Sequence, residues 1–248
     1  MTTTCISGLL ALAFIIMPFT LKAEERVFSA QSDEFNSPAN LENWSIINKE
    51  QLKTLKIEGG KLILEPSKKP SRIAWYQDDQ GPFVYKNIKG NFIVEVKLKI
   101  GSIKDANETP TSQFNSAGIV VRDPRSKDGK QNWVMYNIGS QYMEFGREAK
   151  TTENSSSSLN IYATSRDNSS GKLRICRVGK KLYLYHWLTT ESKWHPESAY
   201  EEFHRNDFQD ELQVGMIINA SGRPRETHAE FDYIKFFNVK DKSGCLAE

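Results

Sequence analysis

The sequence is poor in the residues that build metal cages. It has no CxxC pair and no HExxH, its four histidines (His186, His195, His204, His228) are scattered, and cysteine occurs three times in 248 residues. No zinc site can be read from such a pattern. A surplus of one charge is also missing: 33 Lys plus Arg stand against 31 Asp plus Glu, a formal net charge of +2. The chain as a whole therefore lacks the field that draws a protein onto DNA or an anionic membrane, which leaves room only for a local basic patch. With 15 Gly and 9 Pro there is no Pro/Gly-rich linker to divide it, and no internal repeat or long amphipathic helix interrupts it. One globular domain accounts for the length.

The one long apolar run lies at the start, Ile6 to Phe19, and ends in Thr20-Leu21-Lys22-Ala23 before Glu24-Glu25. It is short for a span, which needs about 20 apolar residues, and fits the core of a signal peptide at residues 1–23. An uncleaved anchor is the alternative. No cysteine follows the run at a cleavage site, so a lipoprotein is not indicated. The expectation is a secreted or periplasmic domain over residues 24–248, in which Cys176 and Cys245 remain. In an oxidising compartment they form a disulfide, or else Cys176 is a buried thiol and Cys245 a free one; spacing does not decide between them.

Beyond Ala23 the apolar residues recur with period two. Phe92, Val94, Val96, Leu98 and Ile100 alternate with a second set that includes Glu95, Lys97 and Lys99. Such alternation is a strand with one face buried and one wetted. Lys56–Glu65, Ala117–Arg122, Asn132–Ile138, Leu173–Val178, Leu182–Leu188, Leu212–Ala220 and Ala229–Phe237 read alike, and turn clusters such as Lys89-Gly90-Asn91 and Val178-Gly179-Lys180 separate them. Many short strands without long helices predict an all-β, antiparallel two-sheet sandwich.

Several phrases, in order, resemble the concanavalin A-like lectin/glucanase superfamily of jelly rolls. They are Asp33-Glu34-Phe35 followed by Trp44, Gly81-Pro82-Phe83-Val84-Tyr85, Gly90-Asn91-Phe92, Ala117-Gly118-Ile119-Val120-Val121-Arg122, Asn132-Trp133-Val134, and Ala229-Glu230-Phe231-Asp232-Tyr233. The branch they resemble most holds the carboxy-terminal domains of β-xylosidases and the yeast regulator-of-enolase protein. The resemblance spans about Asp33 to Phe237. It implies a jelly roll with a ligand-facing concave sheet, and says little about activity, since the scaffold carries lectins, binding modules and enzymes alike. The E-x-D-x-x-E strand of laminarinase-type enzymes and the Gln-x-His of alginate lyases are absent.

Alternation assigns faces. With Ala117, Ile119 and Val121 in the core, Arg122 points to the other side; with Val134, Tyr136 and Ile138 in the core, Trp133 and Asn137 join Arg122 there. An indole for the C–H face of a pyranose beside Arg and Asn for its hydroxyls makes a sugar site of Arg122, Trp133 and Asn137, with Arg147 as a further candidate. Core packing of Trp133 and ion pairing of Arg122 with Asp123 or Glu95 is the alternative. Asp123, Glu144 and Glu148 are the candidate acids and bases, although the run Tyr142, Glu144, Arg147, Glu148, Lys150 also reads as a solvated strand. Tyr183, Tyr185 and Trp187 form an aromatic stripe that is either a second platform or core. Trp194 reads as a structural turn residue. The resemblance further implies a structural calcium between Asp33 and Asp232 at the two ends of the domain.

The expected function is binding of a polysaccharide or oligosaccharide outside the cytoplasm, with no nucleic-acid partner and no cofactor beyond that calcium. The rivals are a glycoside hydrolase or lyase on the same scaffold, and an envelope interaction module without a sugar site. Burial of Arg122 and Trp133 would favour the last.

Overall fold

The computed structural model describes residues 1, 30–69, 73–141, 143–197 and 202–247. The segment expected to be a signal peptide therefore lies, beyond its first residue, outside the described part, as does Tyr142. In chain order the strands are β1 (Ser45–Ile47), β2 (Leu52–Glu58), β3 (Lys61–Pro66), β4 (Phe83–Lys89), β5 (Phe92–Ser102), β6 (Asn115–Arg122), β7 (Trp133–Gln141), β8 (Glu144–Glu153), β9 (Ser156–Ser165), β10 (Ser170–Val178), β11 (Lys181–Leu188), β12 (Lys193–Pro196), β13 (Phe203–His204), β14 (Glu211–Ala220) and β15 (Thr227–Asn238). The first sheet has the order β1-β4-β14-β6-β7-β8-β9 and the second β12-β11-β10-β5-β15-β3-β2, with β13 added beside β11. Every pairing described is antiparallel, so this is a two-sheet jelly-roll β-sandwich, as the alternation predicts. Among the described residues no helix is long and apolar enough to cross a membrane.

The core lies between the sheets. Val84, Ile119, Val121, Val134, Tyr136 and Met216 of the first sheet meet Leu62, Val94, Val96, Ile175, Leu184 and Phe231 of the second. Period-two side chains stand on opposite faces of a strand, and removal of one such set from water drives the two sheets together. In β15 the register shifts between Phe231 and Tyr233, which pair with Leu98 and Lys97. Asp232 is the extra residue of this bulge, and its carboxylate pairs with Lys97 at 2.6 Å.

Cys176 of β10 is joined to Cys245 by a disulfide, with 5.7 Å between their Cα atoms. The bridge holds the 3-10 helix Lys242–Leu246 over the outside of the second sheet. There Ile93, Tyr183, Tyr185, Trp194 and Val239 make a small apolar cluster around it. In the stripe Tyr183, Tyr185 and Trp187 the first two are buried packing, while Trp187 is half-buried, lies edge to face with Trp194 at 5.4 Å between centroids and keeps surface open to a neighbouring cleft. Arg174, buried beneath the tail, donates to the Cys245 and Ala247 carbonyls and to Glu95, with Trp194 over its guanidinium.

Candidate functional site

The outer face of the first sheet carries the side chains that alternation places there. Arg122 stands opposite Trp133 in the register, and Asn137 opposite Gly118 and Glu148. The structure thus puts Arg122, Trp133 and Asn137 on one face, yet that face is covered by the protein's own chain. Between β3 and β4, residues 73–81 run across it. The Ile73 carbonyl accepts from Ala220, the Trp75 amide donates to Asn219 Oδ1 and the Trp75 carbonyl accepts from Lys150 Nζ at 2.6 Å. Trp75 packs on Phe83, Val120, Trp133, Met135 and Ile217, a second apolar core outside the sandwich. Trp133 and Asn137 are 0% exposed and Arg122 is 6% exposed. The physical cause is apolar burial: a face bearing Val120, Trp133, Met135 and Ile217 buries itself when a segment with its own indole is at hand. Arg122 donates to Gln213 Oε1 and the Ser126 carbonyl, so neither Asp123 nor Glu95 is its partner in a close ion pair.

This covered face is short of hydrogen bonds. Trp75 Nε1, Trp133 Nε1, Asn137 Oδ1, Glu148 Oε2, Arg122 Nε and both polar atoms of Gln131 have no partner among the described residues.

The three candidate carboxylates do not gather. Asp123 is buried and saturated: Arg125 grips both oxygens through Nε and Nη2 at 3.0 and 2.9 Å, and the Arg125 and Gln209 amides add two bonds. Burial pushes its carboxyl up, but these donors outweigh it and hold it below the usual carboxylate range. Such a group caps a loop. Glu148, fully buried on the outer face of the sheet, is raised by burial and takes one bond from Gln141 Nε2 at 2.8 Å. Glu144, at the start of β8, pairs with Gln141 across the ladder. In β8 alternation divides the charged run: Glu144, Glu148 and Lys150 face outward, and Arg147, opposite Ile138, faces the interior.

Nor do Asp33 and Asp232 form an oxygen cage. The Asp33 carboxylate accepts from the Phe35 amide at 2.7 Å, Asn40 Nδ2 at 2.7 Å and Trp44 Nε1 at 3.0 Å, while Asp232 faces Lys97 and Lys61. Calcium takes oxygen ligands, and these carboxylates are turned toward N–H groups instead. Among the described residues no group of three His, Cys, Asp or Glu side chains is arranged to hold a metal.

Arg147 leads to a different place. Its Nε donates to Glu197 Oε2 at 2.6 Å and its Nη2 to Oε1 at 3.2 Å, while Tyr136 Oη donates to the same Oε2 at 2.6 Å. Glu197 is 2% exposed and follows β12; Tyr136 is on β7 and Arg147 on β8, so the cluster ties the two sheets together. A buried carboxylate is stable only when paired and hydrogen-bonded, and this one is both. His186 of β11 adds its Nδ1 at 3.6 Å from Glu197 Oε2, too far for a hydrogen bond. Burial, and then the Arg147 cation, hold the His186 pKa down at about 4, so the ring is neutral at physiological pH. Above Arg147 and His186 opens a cleft of about 530 Å³ between the sheets, rimmed by Asn168, Ser170, Thr189 and Thr190. Ile138, Leu173 and Leu188 supply apolar walls, and Lys97, Lys172 and Asp167 reach its margin.

Of this cluster the sequence points to Arg147 but not to Glu197, Tyr136 and His186 as its companions. A signal was present in His186, which alternates with Leu182, Leu184 and Leu188 and so puts a polar ring on an apolar face. Trp75, the residue that covers the outer face, gave none.

No family model and no curated protein matches the chain. Solved structures do. A functionally unknown protein from Saccharomyces cerevisiae superposes with a TM-score of 0.56 at 18% identity, over 80% of this chain and 95% of that one. A xylan β-1,4-xylosidase from Bacillus halodurans C-125 does so with 0.56 at 16%, over 84% of this chain but 39% of the enzyme, so the match covers less than half of that chain. The CBM2 module of the evolved Dit protein from Lactobacillus casei BL23 phage J-1 gives 0.52 at 14%, over 85% and 98%. Identities this low speak to fold alone, and in fold the chain is an antiparallel two-sheet jelly-roll β-sandwich.

Proposed function

We propose that this chain is a glycan-binding β-sandwich protein that works outside the reducing cytoplasm, and that its ligand enters the cleft above Arg147 and His186. The observation that carries this reading is the contrast between the two faces of the first sheet. The outer one is filled by Trp75, whereas the inner one opens at Arg147 into about 530 Å³, within the range of small-ligand pockets. Hydroxyl and amide groups of Asn168, Ser170, Thr189 and Thr190 suit the donor and acceptor pairs of a sugar, and the apolar walls suit its C–H faces. Neutral His186 offers one donor and one acceptor, and Arg147 keeps Nη1 beyond the two nitrogens that hold Glu197. The Cys176–Cys245 bridge supports an oxidising compartment, in keeping with the apolar segment before Ala23. Binding-module and glycosidase structures among the neighbours support the ligand class.

The burial of Trp133 and Arg122 favours a second reading, an interaction module with no sugar site. Electrophoresis in gels cast with a panel of neutral polysaccharides separates the two. Retardation by one of them, reversed by its oligosaccharides, is the expected result; unchanged mobility across the panel, with no binding of the oligosaccharides by calorimetry, gives the chain to the second reading.

A further inference from the structure

A second cleft, of about 600 Å³, lies where the chain leaves β3. Its charged lining is Lys53 of β2, Lys68 and Lys69 after β3, and Arg225 from the β14–β15 connection, against the single carboxylate of Glu50. Four cations against one anion put an excess of three in one cleft, whereas the entire chain carries +2. The rest of the molecule sums to −1, and this cleft is a local basic patch of the kind that composition leaves open. Lys68 and Lys69 have no carboxylate within 4 Å among the described residues, Arg225 has none either, and Lys53 has only Glu65 at 3.8 Å.

The cleft is held by backbone bonds. The Ser67 amide donates to the Gln51 carbonyl at 2.7 Å, Arg225 Nη1 donates to the Ser67 carbonyl at 3.0 Å, and the Lys69 amide donates to Ser67 Oγ at 3.2 Å. Ser67 is thus fixed from both sides, and the two lysines leave the sandwich from an anchored point. Burial, and then the neighbouring Arg223 charge, depress the Arg225 pKa.

We propose that this cleft binds an acidic polysaccharide through its carboxylate or sulfate groups. Unpaired ammonium and guanidinium groups give charge-assisted bonds to such oxygens. Leu52, Pro66 and Ile103, the apolar part of the lining, fit the C–H surface of a sugar ring. Among the described residues no aromatic side chain lines the cleft, so they offer no platform on which the bases of single-stranded nucleic acids stack. The site is separate from the Arg147 cleft and holds whether or not that cleft binds a neutral glycan.

The test is electrophoresis of the purified protein in gels cast with polygalacturonate, dextran sulfate or uncharged dextran, each mobility divided by that in a plain gel. Retardation by polygalacturonate assigns carboxylate recognition and by dextran sulfate sulfate recognition. Either one falls with added salt, weakens about tenfold in Lys68→Ser/Lys69→Ser and also weakens in Arg225→Gln. Lys127→Ser/Lys130→Ser, which removes the same charge from the β6–β7 turn outside this cleft, keeps full retardation, as does Arg147→Ala if it folds; the circular dichroism of each variant reports folding. The proposal is overturned if neither polyanion retards the protein, if Lys68→Ser/Lys69→Ser leaves retardation by the polyanions unchanged, if the two double variants lose binding alike, or if a single-stranded oligonucleotide binds at the same salt while both polyanions do not.

Discussion

The indole of Trp75 stands at 90° to the indole of Trp133, with 5.7 Å between their centroids. That edge-to-face contact closes the outer face of the first sheet, since both rings are fully buried and Phe83 meets Trp75 edge-on from the other side at 5.6 Å. Trp75→Ala is expected to cost about 3–5 kcal/mol in urea denaturation, the range for deleting a large aromatic from a packed site. A cost below about 1 kcal/mol would show that residues 73–81 lie loosely on the sheet. Gly81→Ala tests the same contact from below, because a Cβ there would stand 2.7 Å from Trp75 Nε1 and 3.0 Å from the Ile218 carbonyl oxygen.

The Glu197 cluster is expected to be a stability element as well as a floor. Removal of one partner of a buried ion pair leaves an uncompensated charge, so Arg147→Met should cost about 3–5 kcal/mol. Arg147→Met with Glu197→Leu should cost less than the sum of the two single changes, and Tyr136→Phe about 1 kcal/mol. Chemical denaturation of the four variants checks this; additivity would mean that the groups are independent.

His186 makes stability depend on pH. Its folded pKa, about 4, is below the ordinary 6.5, so the unfolded chain takes up the proton first. Stability contributed by the neutral ring is present above about pH 6.5 and is lost as pH falls toward 4. His186→Gln should flatten that part of the profile, as read from melting temperatures between pH 4 and 7.5; an unchanged slope would contradict the placement of His186 beside Arg147.

Reduction should loosen the molecule. The Cys176–Cys245 bridge closes a loop of 69 residues, for which chain entropy gives about 4 kcal/mol. Cys245→Ser should lower the urea midpoint and free the tail that covers Arg174 and Trp194. Chelation is expected to do nothing: with Asp33 engaged by three N–H donors, the melting temperature should be the same in EDTA and in calcium.

Alternation was enough to read the sandwich, the inward set Ala117, Ile119, Val121, Val134, Tyr136 and Ile138, and the common face of Arg122, Trp133 and Asn137. It gives the side of a sheet and not what lies above it. Trp75 covers Trp133 from an irregular segment with no period of its own, so the closure of that face was invisible. In β8 the charges fall on both parities, and a run in which Arg147 points inward while Glu148 is buried outward resembles a solvated strand until its register is known. The disulfide depended on where the carboxy-terminal tail docks, a long-range contact that spacing does not encode.

The central claim is that the cleft above Arg147 holds the glycan. Gly171 of β10 lines it, and a Cβ there would meet only Ile138 Cδ1, at 3.4 Å. Gly171→Tyr should therefore fill the cleft while leaving the Arg147–Glu197 floor intact. The most direct measurement is calorimetric titration of wild type and Gly171→Tyr with the oligosaccharide of whichever neutral polysaccharide retards the protein. The account predicts binding by wild type and none by the equally stable variant; undiminished binding by Gly171→Tyr would place the glycan elsewhere and contradict it.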